Sequence, residues 1–260
     1  MSVYIGQGYM PRYIIFVCSS TVLTYSLHRL IGIRYSQPYL YQLRFAIVNE
    51  KKHHIMVYTV VSAAICLYLF WNFELELKAH LAIAGIISVL YSIPLLSRGR
   101  RVRDISFVKI FLIAGVWAYV TTAIPLLAVN YALPTVLYYS AITFLFIMSI
   151  TIPFDIRDIA IDHQQRVPTL ASTLGVRHSR ALSLLLLAVA TLLVVADPFS
   201  KSGYKVFPIM EIGFVITGLL IWRVRSDSSD YWYTGVLDGS MMLFLIIYLL
   251  HQFISQSLAL

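Results

Sequence analysis

Three aspartates, Asp155, Asp158 and Asp162, stand at intervals of three and four within residues 151–175, TIPFDIRDIAIDHQQRVPTLASTLG. On a helix those intervals bring all three carboxylates to one face. Carboxylates so crowded repel one another unless a divalent cation or neighbouring basic side chains offset them, and Arg157 and Arg166 are interleaved with them. Hard oxygen ligands suit Mg²⁺, which keeps several waters and binds through one or two carboxylates plus phosphate oxygens. The segment is therefore a candidate metal and phosphate site with Asp155, Asp158 and Asp162 as its ligands. A plainer account has Asp155 capping a helix after Pro153 and the other two on a solvated face.

The elements that must position these side chains are membrane helices. Of the 260 residues 59% are hydrophobic and only 12% charged, and the mean hydropathy is +0.79. A bilayer core takes roughly 20 apolar helical residues to cross. Apolar runs at 13–33, 55–73, 80–96, 105–129, 133–153, 181–196, 206–222 and 233–253 predict eight spans, an all-α polytopic bundle forming a single domain over 1–260. Pro153 is expected to end the fifth span and leave the aspartates in a polar loop. Spans one to four and five to eight read as two four-helix halves.

The basic residues test that count. Numbering the loops alternately collects Arg29, Arg34, Arg44, Lys51, Lys52, Arg98, Arg100, Arg101, Arg103, Arg157, Arg166, Arg177, Arg180, Arg223 and Arg225 on one side, fifteen of the twenty Lys and Arg. The positive-inside rule makes that side cytoplasmic, with both termini on the other side and the aspartates on the cytoplasmic face. The net charge of +8 is then a matter of topology and asks for no nucleic-acid partner. Cys18 and Cys66 lie in apolar runs and read as packing residues. The first residues, MSVYIGQGYMPRY, lack the basic start, apolar run and cleavage site of a signal peptide, so the first apolar run reads as a retained span.

The aspartate segment resembles the second aspartate-rich motif of the UbiA-type superfamily of intramembrane prenyltransferases, approximately N-D-x-x-D-x-x-x-D-x-x-x-G-x-x-T-L. The matching positions are Phe154, Asp155, Asp158, Asp162, Arg166, Thr169 and Leu170, with Phe154 where the family has Asn and Arg166 where it has Gly. Tyr91 and Ser92 ahead of Arg98, and the run KIFLIAGVWAYVT from Lys109, are similar to other stretches of the family. The resemblance implies a helical bundle in which one N-terminal family helix has no counterpart. It also implies Mg²⁺ held by Asp155, Asp158 and Asp162 on a prenyl diphosphate, with Asp158 and Asp162 catalytic. Tyr91, Arg98, Arg100, Arg101, Arg166, Asp155, His28 and Arg29 would then contact substrate.

The family's first motif, N-x-x-x-D-x-x-x-D, finds only Ser20, Thr24 and His28 at its best placement. A neutral imidazole and a hydroxyl do not replace two negative charges, so two function classes stand side by side. One is a Mg²⁺-dependent transferase moving an isoprenoid chain from its diphosphate to an aromatic or lipid-soluble acceptor. The other is a family member without that activity that binds a lipid, quinone or pigment or serves as a subunit of a membrane complex. A secondary transporter would want an acidic residue near the bilayer midplane, and Glu211 is the modest candidate; Asp238 lies nearer the aspartate segment's side.

Overall fold

The computed structural model describes residues 10–35, 48–93, 102, 105, 107–165, 168–199 and 207–257. Among the described residues every regular element is helical. In chain order they are α1 (Met10–Tyr35), α2 (Lys52–Trp71), α3 (Leu75–Ser92), α4 (Val108–Ala128), α5 (Leu133–Gln165), α6 (Leu170–Val195), α7 (Phe207–Trp222) and α8, a π turn Trp232–Leu237 running into Asp238–Ser257. Five of them, α1, α2, α4, α5 and α6, are long and apolar enough to cross a membrane; α7 and α8 contain shorter apolar stretches, Met210–Trp222 and Trp232–Ile247. On α2 Leu67 is 68% exposed and Trp71 78%. Large apolar side chains displayed at that level require a hydrocarbon solvent, and the chain is an integral membrane protein.

Among the described residues each of the eight expected spans corresponds to one helix, but α5 and α6 run well beyond their apolar runs. α6 starts eleven residues before the run at 181–196. Hydropathy marks where a helix leaves the hydrocarbon, whereas a helix ends where its backbone loses partners. α6 begins at Thr169, whose hydroxyl accepts from the Ser172 amide at 3.3 Å while the Thr169 amide donates to Ser172 Oγ at 2.8 Å, a reciprocal cap that satisfies two of the free first-turn donors.

Two prolines show how the backbone is kept satisfied. The expectation that Pro153 ends its helix is corrected: α5 continues through it to Gln165. Pro153 has no N–H for the carbonyl of Ser149, and the Ser183 hydroxyl of α6 donates to that carbonyl instead. Both serines are fully buried, so a crossing of two helices replaces the lost bond. In α4 a π turn, Tyr119–Ala123, precedes Pro125. In the π register the donor to Val120 O would be Pro125, and the Tyr13 hydroxyl of α1 donates there at 2.6 Å.

The chain divides into two compact units, Met1–Ile105 with Tyr119–Val136, and Ser106–Ala118 with Leu137–Leu260. The boundary cuts α4 at its π turn, so the halves are not four helices each. In the first unit α1 packs on α2 and α3, around Leu69, Phe73, Leu81 and Ile124 with Tyr13 and Phe16. In the second unit the start of α4 joins α5 to α8 around Ile110, Ala114, Phe146, Ile150, Leu187, Phe214, Ile221 and Tyr233. Phe146 and Phe214 stack at 5.4 Å and Phe244 meets both edge-on, a three-ring contact between α5, α7 and α8.

Gly175 bends α6 five residues from its start, with φ 77° and ψ 166°, a conformation closed to side chains with a Cβ. The Ser179 hydroxyl donates across the bend to Leu170 O at 3.4 Å. Gly175→Ala is expected to lower stability by about 1–3 kcal/mol although the space around the Cβ is open. Comparing thermal unfolding of the purified variant and the parent checks this, and equal midpoints would show that the bend carries no strain for alanine.

Candidate functional site

The aspartates lie on the last three turns of α5, not on a loop, and the second unit gives each a different fate. Asp155 is 1% exposed, and its Oδ1 accepts from Lys109 Nζ of α4 at 2.5 Å. The first turn of α4 thus places an ammonium in the aspartate cluster. A buried carboxylate requires such a partner, because neither charge survives alone in a low-dielectric interior.

Asp158 is held by its neighbour. Arg157 donates from Nε to Oδ1 at 2.9 Å and from a terminal nitrogen to Oδ2 at 3.1 Å, the bidentate fork that matches guanidinium to carboxylate. The guanidinium lies 5.0 Å over the Phe154 ring and 5.6 Å from the centre of the Tyr233 ring, with Asp230 at 3.9 Å. Tyr233 is itself fixed by donating to Arg225 O at 2.7 Å. Phe154, which departs from the family pattern, therefore has a use of its own: it carries the cation that pairs with Asp158.

Asp162 is different. It is 9% exposed, and its Oδ2 is a buried oxygen that finds no hydrogen-bond donor among the described residues. Burial pushes its carboxyl up to about 6; the charge of Lys109 pulls the other way, Asp158 and Asp155 add to the rise, and a hydrogen bond from Thr169 favours the charged form. A buried, unsatisfied acceptor that stabilises nothing internally is available for a ligand.

The residues fit Mg²⁺ only in company. Among the described residues no three His, Cys, Asp or Glu side chains form a group able to hold a metal ion, since Asp155 is turned to Lys109 and Asp158 to Arg157. Mg²⁺ is commonly held by one or two carboxylates with phosphate oxygens supplying the rest, and the free oxygen of Asp162, with Asp158 one turn before it, meets that smaller demand. A metal competes with a proton for the Asp162 carboxylate. Mg²⁺ affinity is therefore expected to be level above about pH 6 and to weaken roughly tenfold per pH unit below it, a profile that titration calorimetry at several pH values would record; affinity independent of pH between 5 and 7 would remove Asp162 from the ligand set. In the metal-free protein the sign runs the other way. The folded state binds this proton more tightly than the unfolded chain, so its contribution to stability falls as pH rises from the ordinary carboxylate range through about 6.

In the first unit, at the best placement of the absent motif, the hydroxyls turn inward. Ser20 donates to Val17 O at 2.9 Å and Thr24 to Ser20 O at 2.8 Å. The rings of His28 and Tyr91 lie 6.4 Å apart, so two of the expected substrate contacts do meet, and Arg29 is exposed. Arg98, Arg100, Arg101 and Arg166 lie outside the described residues. Lys109, Tyr233 and Asp230 were not expected as site residues. Lys109 had a signal in the sequence, a lone lysine inside an apolar run; Tyr233 and Asp230 had none, because only folding brings α8 to α5.

A model of the UbiA prenyltransferase family matches residues 50–251. No curated protein sequence matches the chain. Among solved structures, the UbiA homologue of Archaeoglobus fulgidus bound to GPP and Mg²⁺ aligns at a TM-score of 0.64 and 12% identity, over 91% of this chain and 84% of that one. The apo UbiA homologue of Aeropyrum pernix K1 aligns at 0.65 and 14%, over 95% and 90%. A structure concerned with digeranylgeranylglyceryl phosphate synthase in membranes aligns at 0.58 and 14%, over 95% and 86%. At these identities the likeness to the solved structures is one of fold.

Proposed function

Because the chain belongs to the UbiA prenyltransferase family, we propose that it moves an isoprenoid chain from a polyprenyl diphosphate to an aromatic or other lipid-soluble acceptor in the membrane, using Mg²⁺. The observation that carries the reading is the buried, donor-free Oδ2 of Asp162 beside two engaged carboxylates. Support also comes from the fold's likeness to a homologue whose structure contains GPP and Mg²⁺.

Asp162 and Asp158 would hold the metal against the diphosphate. When bound, Mg²⁺ supplies neutralisation of charge on the departing diphosphate as the allylic C–O bond breaks. The protein's own groups prepare that place. Lys109, bonded to Asp155, sets a positive charge among the aspartates, and Arg157, gripped by Asp158, Phe154 and Tyr233, sets a second. Both are in position before substrate arrives, so no reorganisation is required when negative charge gathers on the leaving group. The acceptor's attack on the allylic carbon completes transfer and releases a proton. The basic residues around the aspartate end of α5 support a cytoplasmic position for it.

A second reading has its own observation: Ser20 and Thr24 bond their hydroxyls to their own helix, which favours a member that binds an isoprenoid lipid without transferring it. One assay separates the two. Purified protein in nanodiscs with Mg²⁺, prenyl diphosphates and aromatic acceptors is expected to release pyrophosphate only when acceptor and Mg²⁺ are both present. No release across the donor panel, with lipid co-purifying, would overturn the transferase reading.

A further inference from the structure

The second unit has an open pocket of about 590 Å³ lined by Arg180, Trp222, Arg223, Arg225, Ser228, Ser229 and Trp232, none of whose side chains belongs to the aspartate cluster. It lies where α7 ends at Trp222 and α8 begins, the common end of two apolar stretches. Tryptophan and arginine at such ends mark the level of lipid headgroups. Arg180 is held rigidly: it donates to Trp222 O at 3.3 Å and Val224 O at 3.2 Å and lies 5.5 Å over the Trp222 ring. Arg223 and Arg225 are exposed, and the Arg225 amide donates to Ser228 Oγ at 3.1 Å, which closes the turn. Trp232 brings a buried indole N–H with no acceptor among the described residues. Of the acids nearby in the chain, Asp230 lies 3.9 Å from Arg157 and Asp227 is exposed.

We propose that this pocket binds the phosphate of an anionic phospholipid. Three guanidiniums, the Ser229 hydroxyl and a free indole N–H answer the several acceptor oxygens and the charge of a phosphate. A lipid is favoured over a free phosphate by what continues from the pocket. Val215, Leu219 and Trp222 are all exposed at helical spacing along α7, an apolar strip on which an acyl chain can lie while its phosphate rests among the arginines. The assignment is independent of prenyl transfer.

The test is native mass spectrometry of the full chain from mixed phosphatidylglycerol and phosphatidylcholine, comparing the parent with Arg223→Gln/Arg225→Gln. Lys51→Gln/Lys52→Gln, which removes the same charge from exposed positions of the first unit, is the control. The arginine variant is expected to bind its tightest phosphatidylglycerol roughly tenfold more weakly while eluting as a monodisperse folded protein, and the lysine variant to bind as the parent does. Equal loss in both variants, or loss in neither, would overturn the site. Adding soluble glycerol 3-phosphate separates the sources of phosphate: no displacement of the lipid is expected, and displacement at concentrations comparable to the lipid's would overturn the lipid assignment.

Discussion

Asp162→Asn is expected to lower the turnover of prenyl transfer about a thousandfold or more while leaving the protein at least as stable as the parent. The catalytic half of that expectation follows from the magnitude of metal assistance. A bound cation at a leaving diphosphate supplies several kcal/mol in the transition state, and each factor of ten in rate is 1.36 kcal/mol. The stability half follows from the site. Asp162 buries a carboxylate oxygen that no described residue satisfies, and burial already pushes its proton affinity up; removing the charge therefore relieves a cost, while the amide oxygen of Asn can still accept from Thr169. Loss of activity without loss of stability is the signature of a group kept for function. Pyrophosphate release and thermal unfolding measured on one preparation decide the matter: an active Asp162→Asn protein would leave the transferase proposal without its metal ligand, and an inactive but unfolded one would make the residue structural.

Lys109→Met has the opposite profile, a loss of about 3–5 kcal/mol of stability. It removes from Asp155, 1% exposed, the ammonium 2.5 Å away. The penalty belongs to the leftover charge more than to the lost bond, so the double variant Lys109→Met/Asp155→Asn is expected to recover most of it. Unfolding of the parent, both single variants and the double variant in detergent closes the cycle. Equal stability of Lys109→Met and the parent would show that Asp155 does not depend on the pair, and failure of the double variant to recover would assign the lysine a packing role.

Much of the bundle was legible because membrane solvent writes itself on composition. Among the described residues each of the eight apolar runs falls on a helix, since a backbone in hydrocarbon has to satisfy its own hydrogen bonds and a helix does so locally. Their ends were less legible. Pro153 reads as a stop in sequence and is not one, because the Ser183 hydroxyl, thirty positions away along the chain, supplies a donor. The start of α6 was missed for another reason: Arg177 and Arg180 are polar but helical, and apolar runs record burial in lipid, not helicity.

The aspartate motif itself was legible, because helical spacing, charge and residue type are properties of the chain, and so was membership of a family defined by such patterns. What each carboxylate does was not. Three aspartates equivalent in sequence become one tied to Lys109, one tied to Arg157 and one left open. The partners come from α4 and from the aspartate's own neighbour, with Tyr233 of α8 steadying the second. Sequence determines which groups can carry charge and at what helical interval they recur. Only tertiary structure decides which of those charges are neutralised internally, because Coulomb interaction in a low-dielectric interior depends on distances of a few ångströms between residues far apart in the chain.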